Sequence, residues 1–314
     1  MERLMLDLTP APPFRLDLTV WTLRRRPDNV VDRWDGTTYR RVLVAEDGEP
    51  FEVAVVQSGV PDAPHLQVCI SGTKQDDETK CLAVTALERS LGVGLEVDGF
   101  YRMAERDDKL HPLADQFRGF KPPRYPSYFE TLVNAISCQQ LTLTVGIRLL
   151  NNLAEAYGPA IQMEGGIFHA FPRPQDLAGA DIEALRKMSF SYQKARYITG
   201  LAQSIVQGEL NLVEIEALDD ESAVQRLCDL KGVGRWTAEY FLLRGLGRTH
   251  VFPADDVGAR NHLQRWLGVS EKMNYDAVHR ALQPWKDYGG LVYFHLLLKS
   301  LTEKDLIAHN PVGS

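Results

Sequence analysis

The sequence predicts an α+β fold, with an antiparallel sheet and flanking helices in the first third and an all-α body after it. Three observations carry this. Short apolar segments separated by turn signals fill the chain up to Ser71. A proline-rich hinge, Lys121-Pro122-Pro123-Arg124-Tyr125-Pro126, then interrupts the pattern. Beyond the hinge, apolar residues recur at helical spacing.

Taken in order, Phe14, Leu16, Leu18 and Val20 alternate with Arg15, Asp17 and Thr19, which predicts a strand. Further strands are expected at Tyr39 to Val44, Phe51 to Gln57 and His65 to Ser71. Asp47-Gly48, Gly59 and Pro61-Asp62 supply the turns between them. Asp76 to Leu91 reads as a helix ending near Gly92. After the hinge, Ser127 and Glu130 have the spacing of a capping box, and Phe129, Leu132, Val133 and Ile136 form the buried face of the helix that follows. From there the chain reads as helical, with Asp181, Asp219 or Asp220, and Thr302 as candidate caps.

The most informative stretch is Leu230 to Asp256. Ala223, Val224, Leu227, Cys228 and Leu230 give a helical spacing that Gly232 and Gly234 break. Trp236, Tyr240 and Leu243 then share one face of a second helix. Such a turn presents backbone N–H groups at a helix start, where a phosphate can sit without any base being read. The plain alternative is an ordinary helical corner with a glycine stop. Asp255 and Asp256 follow, just ahead of the amphipathic pattern Ala259, Leu263, Trp266 and Leu267. One of the two suffices as a cap.

This segment resembles the helix-hairpin-helix DNA glycosylase superfamily, and within it the AlkA-type 3-methyladenine DNA glycosylases. The matching residues are Leu230-Lys231-Gly232-Val233-Gly234-Arg235-Trp236-Thr237-Ala238 with Tyr240, then Val251-Phe252 and Asp255-Asp256. The resemblance runs from about Arg124 to Trp285 and continues more weakly into the N-terminal third. It implies a TATA-binding-protein-like sheet domain over 1–115, a central helical lobe over 116–225, and a hairpin and catalytic lobe over 226–314. The implied activity is hydrolysis of the N-glycosidic bond of an alkylated base flipped out of double-stranded DNA, the first step of base excision repair. Two readings stand beside it: a glycosylase for deaminated or other damaged bases, and a non-catalytic hairpin module that binds DNA.

Position by position, the resemblance makes Asp256 the catalytic carboxylate and Asp255 the cap or structural partner. Trp236, Tyr240, Phe294 and Tyr288 are expected to line the base pocket, with Trp21 or Trp34 as a further aromatic near it. Gln139, Gln140 and Leu141 match the loop that plugs the gap left by a flipped base, with Leu141 as the wedge. Lys231, Gly232, Val233, Gly234 and Arg235 are expected against DNA. Bifunctional relatives carry a nucleophilic lysine two residues after the second hairpin glycine. Trp236 stands there, which implies a glycosylase without lyase activity. Backbone carbonyls of Cys228, Leu230 and Val233 are the carry-over for a structural Na or K ion, and no cofactor is otherwise required. Ser189 to Ala195 also matches a helix start of the family, with no chemistry attached.

Composition constrains the rest. At 314 residues the length predicts about two domains. No run of about 20 apolar residues occurs, and the N-terminus lacks the apolar core of a signal peptide, so a cytoplasmic monomer is expected. Cys69, Cys81, Cys138 and Cys228 have neither zinc nor iron–sulfur spacing. The net charge of −7 is unusual for a DNA binder. Local clusters run the other way: Lys231, Arg235, Arg244 and Arg248 face only Glu239, while Lys187, Lys194 and Arg196 have no acid among them. These predict a basic stripe on an acidic surface.

Overall fold

The structure, a computed structural model, describes residues 2–74 and 76–307. The chain opens with β1 (Glu2–Leu8), α1 (Leu16–Arg24), β2 (Arg33–Trp34), β3 (Thr38–Val44), β4 (Pro50–Ser58) and β5 (His65–Gly72). The five strands form one antiparallel sheet in the order β1-β5-β4-β3-β2. Alternation along each strand puts one face inward. Tyr39, Leu43, Phe51, Val53, Val55, Leu66, Val68 and Ile70 are buried together on it. α2 (Asp77–Leu91) covers that face through Ala83, Leu87 and Leu91, capped by Asp76 and stopped at Gly92 in the left-handed region.

The stretch predicted as the first strand is instead α1. Its alternation has a different cause, because the helix is buried on two sides. Leu16, Val20 and Leu23 join the sheet core, whereas Leu18 belongs to the C-terminal core. A helix with two apolar faces loses its 3.6-residue signature. Strand β1, which no expectation covered, pairs Leu4 with Ile70 and Leu6 with Val68.

The remaining elements are α3 (Asp98–Ala104), α4 (His111–Gln116), α5 (Tyr128–Cys138), α6 (Leu143–Tyr157), β6 (Ala160–Met163), β7 (Gly166–His169), α7 (Pro174–Leu177), α8 (Ile182–Lys187), α9 (Tyr192–Val206), α10 (Asp220–Cys228), α11 (Arg235–Phe241), α12 (Val257–Leu267), α13 (Tyr275–Leu282) and α14 (Gly289–Thr302). A π turn, Leu242–Leu246, extends α11. The β6–β7 hairpin breaks the expected all-helical run. Asp181 and Asp219 do cap helices, but Thr302 lies inside α14, where its hydroxyl donates to the Leu298 carbonyl. The capping box at Ser127 is half formed. Ser127 accepts the Glu130 N–H, but the Glu130 carboxylate turns to Arg41 on β3 at 2.6 and 2.7 Å. Burial pushes that carboxyl up to about 7 even beside the guanidinium.

Packing divides the chain differently from the breaks expected at 115/116 and 225/226. α3 and α4 pack not on the sheet but into a core with α12, α13 and α14. Helices α5 to α11 build a separate core. α14 is apolar nearly all round, and twelve of its residues are buried. At its start Gly290 lies so close to the 249–251 loop that a Cβ would come within 2.8 Å of the Thr249 and Val251 carbonyls. Among the described residues no helix is long and apolar enough to cross a membrane.

His295 of α14 is 1% exposed among the rings of Phe100, Phe117 and Phe120. Its Nδ1 donates to the Leu291 carbonyl at 2.7 Å, and burial lowers its pKa to about 4. In the unfolded chain the ring takes up a proton near pH 6.5, which the fold refuses until about pH 4. Stability is therefore present above pH 6.5 and lost as the pH falls toward 4, on the order of 3 kcal/mol from this group. Urea unfolding at pH 7 and pH 4.5 should show His295→Phe losing less stability between the two than the wild type.

Candidate active site

The hairpin forms where Gly232 and Gly234 predict it. Gly232 adopts φ 85°, and a Cβ there would fall 2.2 Å from the Tyr197 ring of α9, so two separate constraints require glycine. Val233 N–H donates to the Leu230 carbonyl, and Gly234 is the N-cap of α11. Val233 is buried with its N–H engaged inside the turn, so this N–H is not offered to a phosphate. Lys231 and Gly234 are exposed.

From α11 the chain returns through 247–256 to the start of α12. Asp256 is the N-cap of that helix, its Oδ1 accepting the Ala259 N–H at 2.9 Å. Of the two roles expected for Asp255, cap or structural partner, the cap thus goes to Asp256. Asp255 instead pairs with Arg235, at 2.8 Å from Nε and 2.7 Å from Nη2. The other oxygen of Asp256 accepts from Trp236 Nε1 at 3.2 Å and from the Tyr293 hydroxyl at 3.4 Å. Burial, then the Asp256 charge, pushes the Tyr293 hydroxyl well above its ordinary pKa, so it remains a donor. The positive end of α12 and two side-chain dipoles therefore converge on one half-buried carboxylate.

Glu239, one helical turn along α11 from Trp236, holds this loop. Its buried carboxylate accepts the Ala254 N–H at 3.2 Å and the Tyr275 hydroxyl at 2.6 Å. Burial raises its pKa. Charge counting shows Glu239 only as an opposing acid; its structural work depends on contacts far apart in sequence.

Trp236 and Tyr240 stack at 5.5 Å, as their shared helical face requires. Below them Tyr240 shares a hydrogen bond with Tyr125 and accepts one from Arg25 at 3.3 Å. Arg25 sits in the left-handed region at the end of α1 and also donates to Asn134 Oδ1 at 2.8 Å. Arg244 lies over the rings of Tyr125, Tyr240 and Phe294. Sequence pattern gave no sign of Arg25, Tyr125 or Asn134, because a helix cap, a hinge and a helix interior contribute one residue each.

Two pocket expectations are corrected. Phe294 is fully buried against Phe120 and Arg244, and the hydroxyl that reaches Asp256 belongs to its neighbour Tyr293. Tyr288 packs on Phe100 at 5.8 Å and against Gly99, away from the groups around Asp256. Trp21 lies under Arg24, and Trp34 lines a hollow on the outer face of the sheet.

The loop expected to act as a plug, 139–141, follows α5. Leu141 is 42% exposed, which suits a wedge. Gln140 is exposed with φ 54°. Gln139 turns inward, its amide donating to the Gly232 carbonyl at 2.7 Å and to Thr237 Oγ1 at 2.8 Å. The expected basic stripe is largely neutralised. Arg235 pairs with Asp255 and stacks on Tyr275, Arg244 is buried, and Arg248 pairs with Asp220.

Because Asn caps helices nearly as well as Asp, Asp256→Asn should unfold within about 0.5 kcal/mol of the wild type while removing the negative charge. Asp256→Ala should lose roughly 1 kcal/mol in the same urea titration. Equal losses in the two variants would contradict the capping geometry.

With this geometry in hand, the chain can be set beside known proteins. A family model described as HhH-GPD superfamily base excision DNA repair protein matches residues 133–287. DNA-3-methyladenine glycosylase 1 of Schizosaccharomyces pombe is 30% identical over 169 residues, which cover 52% of this chain and 70% of that one. A Bacillus subtilis DNA-3-methyladenine glycosylase is 29% identical over 197 residues, 63% of this chain and 65% of its own length, so the match spans just under two thirds of that relative. Among solved structures, a 3-methyladenine DNA-glycosylase from Archaeoglobus fulgidus superposes with TM-score 0.79 at 26% identity, covering 96% of this chain and 99% of that one.

Proposed function

We propose, because the chain belongs to the HhH-GPD superfamily of base excision DNA repair proteins, that it is a DNA glycosylase which flips an alkylated base out of duplex DNA and hydrolyses its N-glycosidic bond. The observation that carries this reading is the carboxylate of Asp256, held at a helix start by donors from Trp236 and Tyr293. As the bond to the base lengthens, positive charge grows on the sugar toward an oxocarbenium ion. A fixed carboxylate beside C1′ stabilises that charge and can accept a proton from the attacking water. Trp236 supports a monofunctional reaction, since an indole N–H cannot form a Schiff base. A protein that only bound DNA would gain nothing from an anion held near phosphates.

In this reading the partner is double-stranded DNA with a damaged base, engaged by a monomer. Exposed Leu141 enters the stack, and the hairpin rests on the backbone through Lys231 and its glycine turn. A structural Na or K ion belongs with the carbonyls of Cys228, Leu230 and Val233. Carbonyl oxygens suit a hard cation, and the Leu230 carbonyl would share itself between the ion and the Val233 N–H. Among the described residues no cluster of His, Cys, Asp and Glu could hold a metal.

The guanidinium groups of Arg25 and Arg244 around Tyr240 favour a second reading, in which neutral deaminated bases are also substrates. A cationic alkylpurine would stack over rings that already have positive charge beside them. Excision assays on duplexes bearing 3-methyladenine, 7-methylguanine, hypoxanthine, ethenoadenine and 8-oxoguanine separate the two. We expect release of at least one alkylated base, an intact abasic strand, and loss of activity of about a hundredfold or more in Asp256→Asn. Full activity in that variant would refute the mechanism, and a borohydride-trapped adduct would refute the monofunctional assignment.

A further inference from the structure

The segment Ser189 to Ala195 had no role in the reading above, yet its lysine is not on the surface stripe where charge counting puts it. Lys194 is half-buried. Its Nζ donates to the carbonyls of Ser137 at 2.9 Å and of Gln139 at 2.7 Å. Both carbonyls lie at the C-terminal end of α5, where helix carbonyls lack intrahelical partners and the dipole favours a cation.

The backbone that carries Lys194 is firmly seated. Ser191 caps α9 by accepting the Lys194 N–H at 3.2 Å, and the next residue, Ala195, is buried in the core shared with α5. The ammonium is thus a fixed point rather than a mobile surface charge.

Gln139 links this point to the hairpin. Its carbonyl is held by Lys194, and its side-chain amide donates to Gly232 and Thr237. One residue is thereby fixed from two sides, by α9 and by the hairpin. The chain then turns through Gln140, at φ 54°, and exposes Leu141 two residues beyond the fixed point.

We infer that Lys194 is a positioning residue for base opening: it fixes the root of the 139–141 loop so that Leu141 enters the DNA stack in register with the hairpin. It touches neither the reacting atoms nor, in this assignment, a phosphate. A wedge on a loose root loses force because part of its contact energy goes into ordering the loop.

The inference rests on the glycosylase reading, and the test separates the two. Lys194→Met and Lys194→Arg are compared with the wild type on three measurements. The first is affinity for an undamaged duplex. The second is the fluorescence of 2-aminopurine stacked beside the lesion, which rises when its neighbour leaves the stack. The third is single-turnover excision from a fully paired lesion and from the same lesion in an unpaired bulge, where opening needs little help. Lys194→Met should bind the duplex as the wild type does. Its opening signal and its excision from the paired site should fall about tenfold, the size of one lost hydrogen bond to a charged group. Excision from the bulge should hold, and Lys194→Arg should restore the paired site. Equal effects on paired and bulged lesions would overturn the assignment, as would a loss of duplex affinity that accounts for the whole defect. If the wild type releases no base at all, the glycosylase reading fails, and the fluorescence signal alone still decides whether Lys194 governs opening.

Discussion

A carboxylate drawn partly out of water must find donors, and Asp256 finds them on three elements that are far apart in the chain. The start of α12 supplies a backbone N–H, α11 an indole and α14 a phenol. Each donor fixes an approach. α11 must cross close to the loop before α12, and Glu239, one turn along from Trp236, holds that loop by the Ala254 N–H. α14 must start against the 249–251 loop, which the glycine pair Gly289-Gly290 permits. The helical body can be understood as the arrangement that satisfies all three at once.

The N-terminal sheet contributes by what it holds. α1 lies between the sheet core and the C-terminal core, and its last turn delivers Arg25 to Tyr240. The buried Arg41 ties β3 to α5 through Glu130 and to the segment before β2 through Asp32. Removing one member of such a group would leave an unpaired charge in the interior, a far larger penalty than the pair itself contributes. The sheet domain is therefore coupled mechanically to the helix that ends at the 139–141 loop.

Much of this was legible from residue order because it is local. Three strands, α2 with its cap and stop, the hairpin glycines and the aromatic face of α11 all follow from spacing over a few residues. What escaped was set by distant partners. α1 read as a strand because two cores claim its opposite faces. Phe294 and Tyr293 cannot be told apart by spacing, since α14 is buried nearly all round and only the position of Asp256 distinguishes them. Basic residues looked like a stripe because sequence shows charge but not its partner: Asp255 takes Arg235, Asp220 takes Arg248, and carbonyls take Lys194.

Trp236 constrains what can replace it. The position is occupied by a group that both fills space over Tyr240 and donates a hydrogen bond to Asp256. A lysine introduced there would forfeit the stacking and bring an ammonium next to the carboxylate, so that the two would neutralise each other rather than act separately. A lysine at 236 would thus exchange two interactions for a single ion pair. The indole couples the aromatic stack to the carboxylate, so neither can be altered at this position without the other.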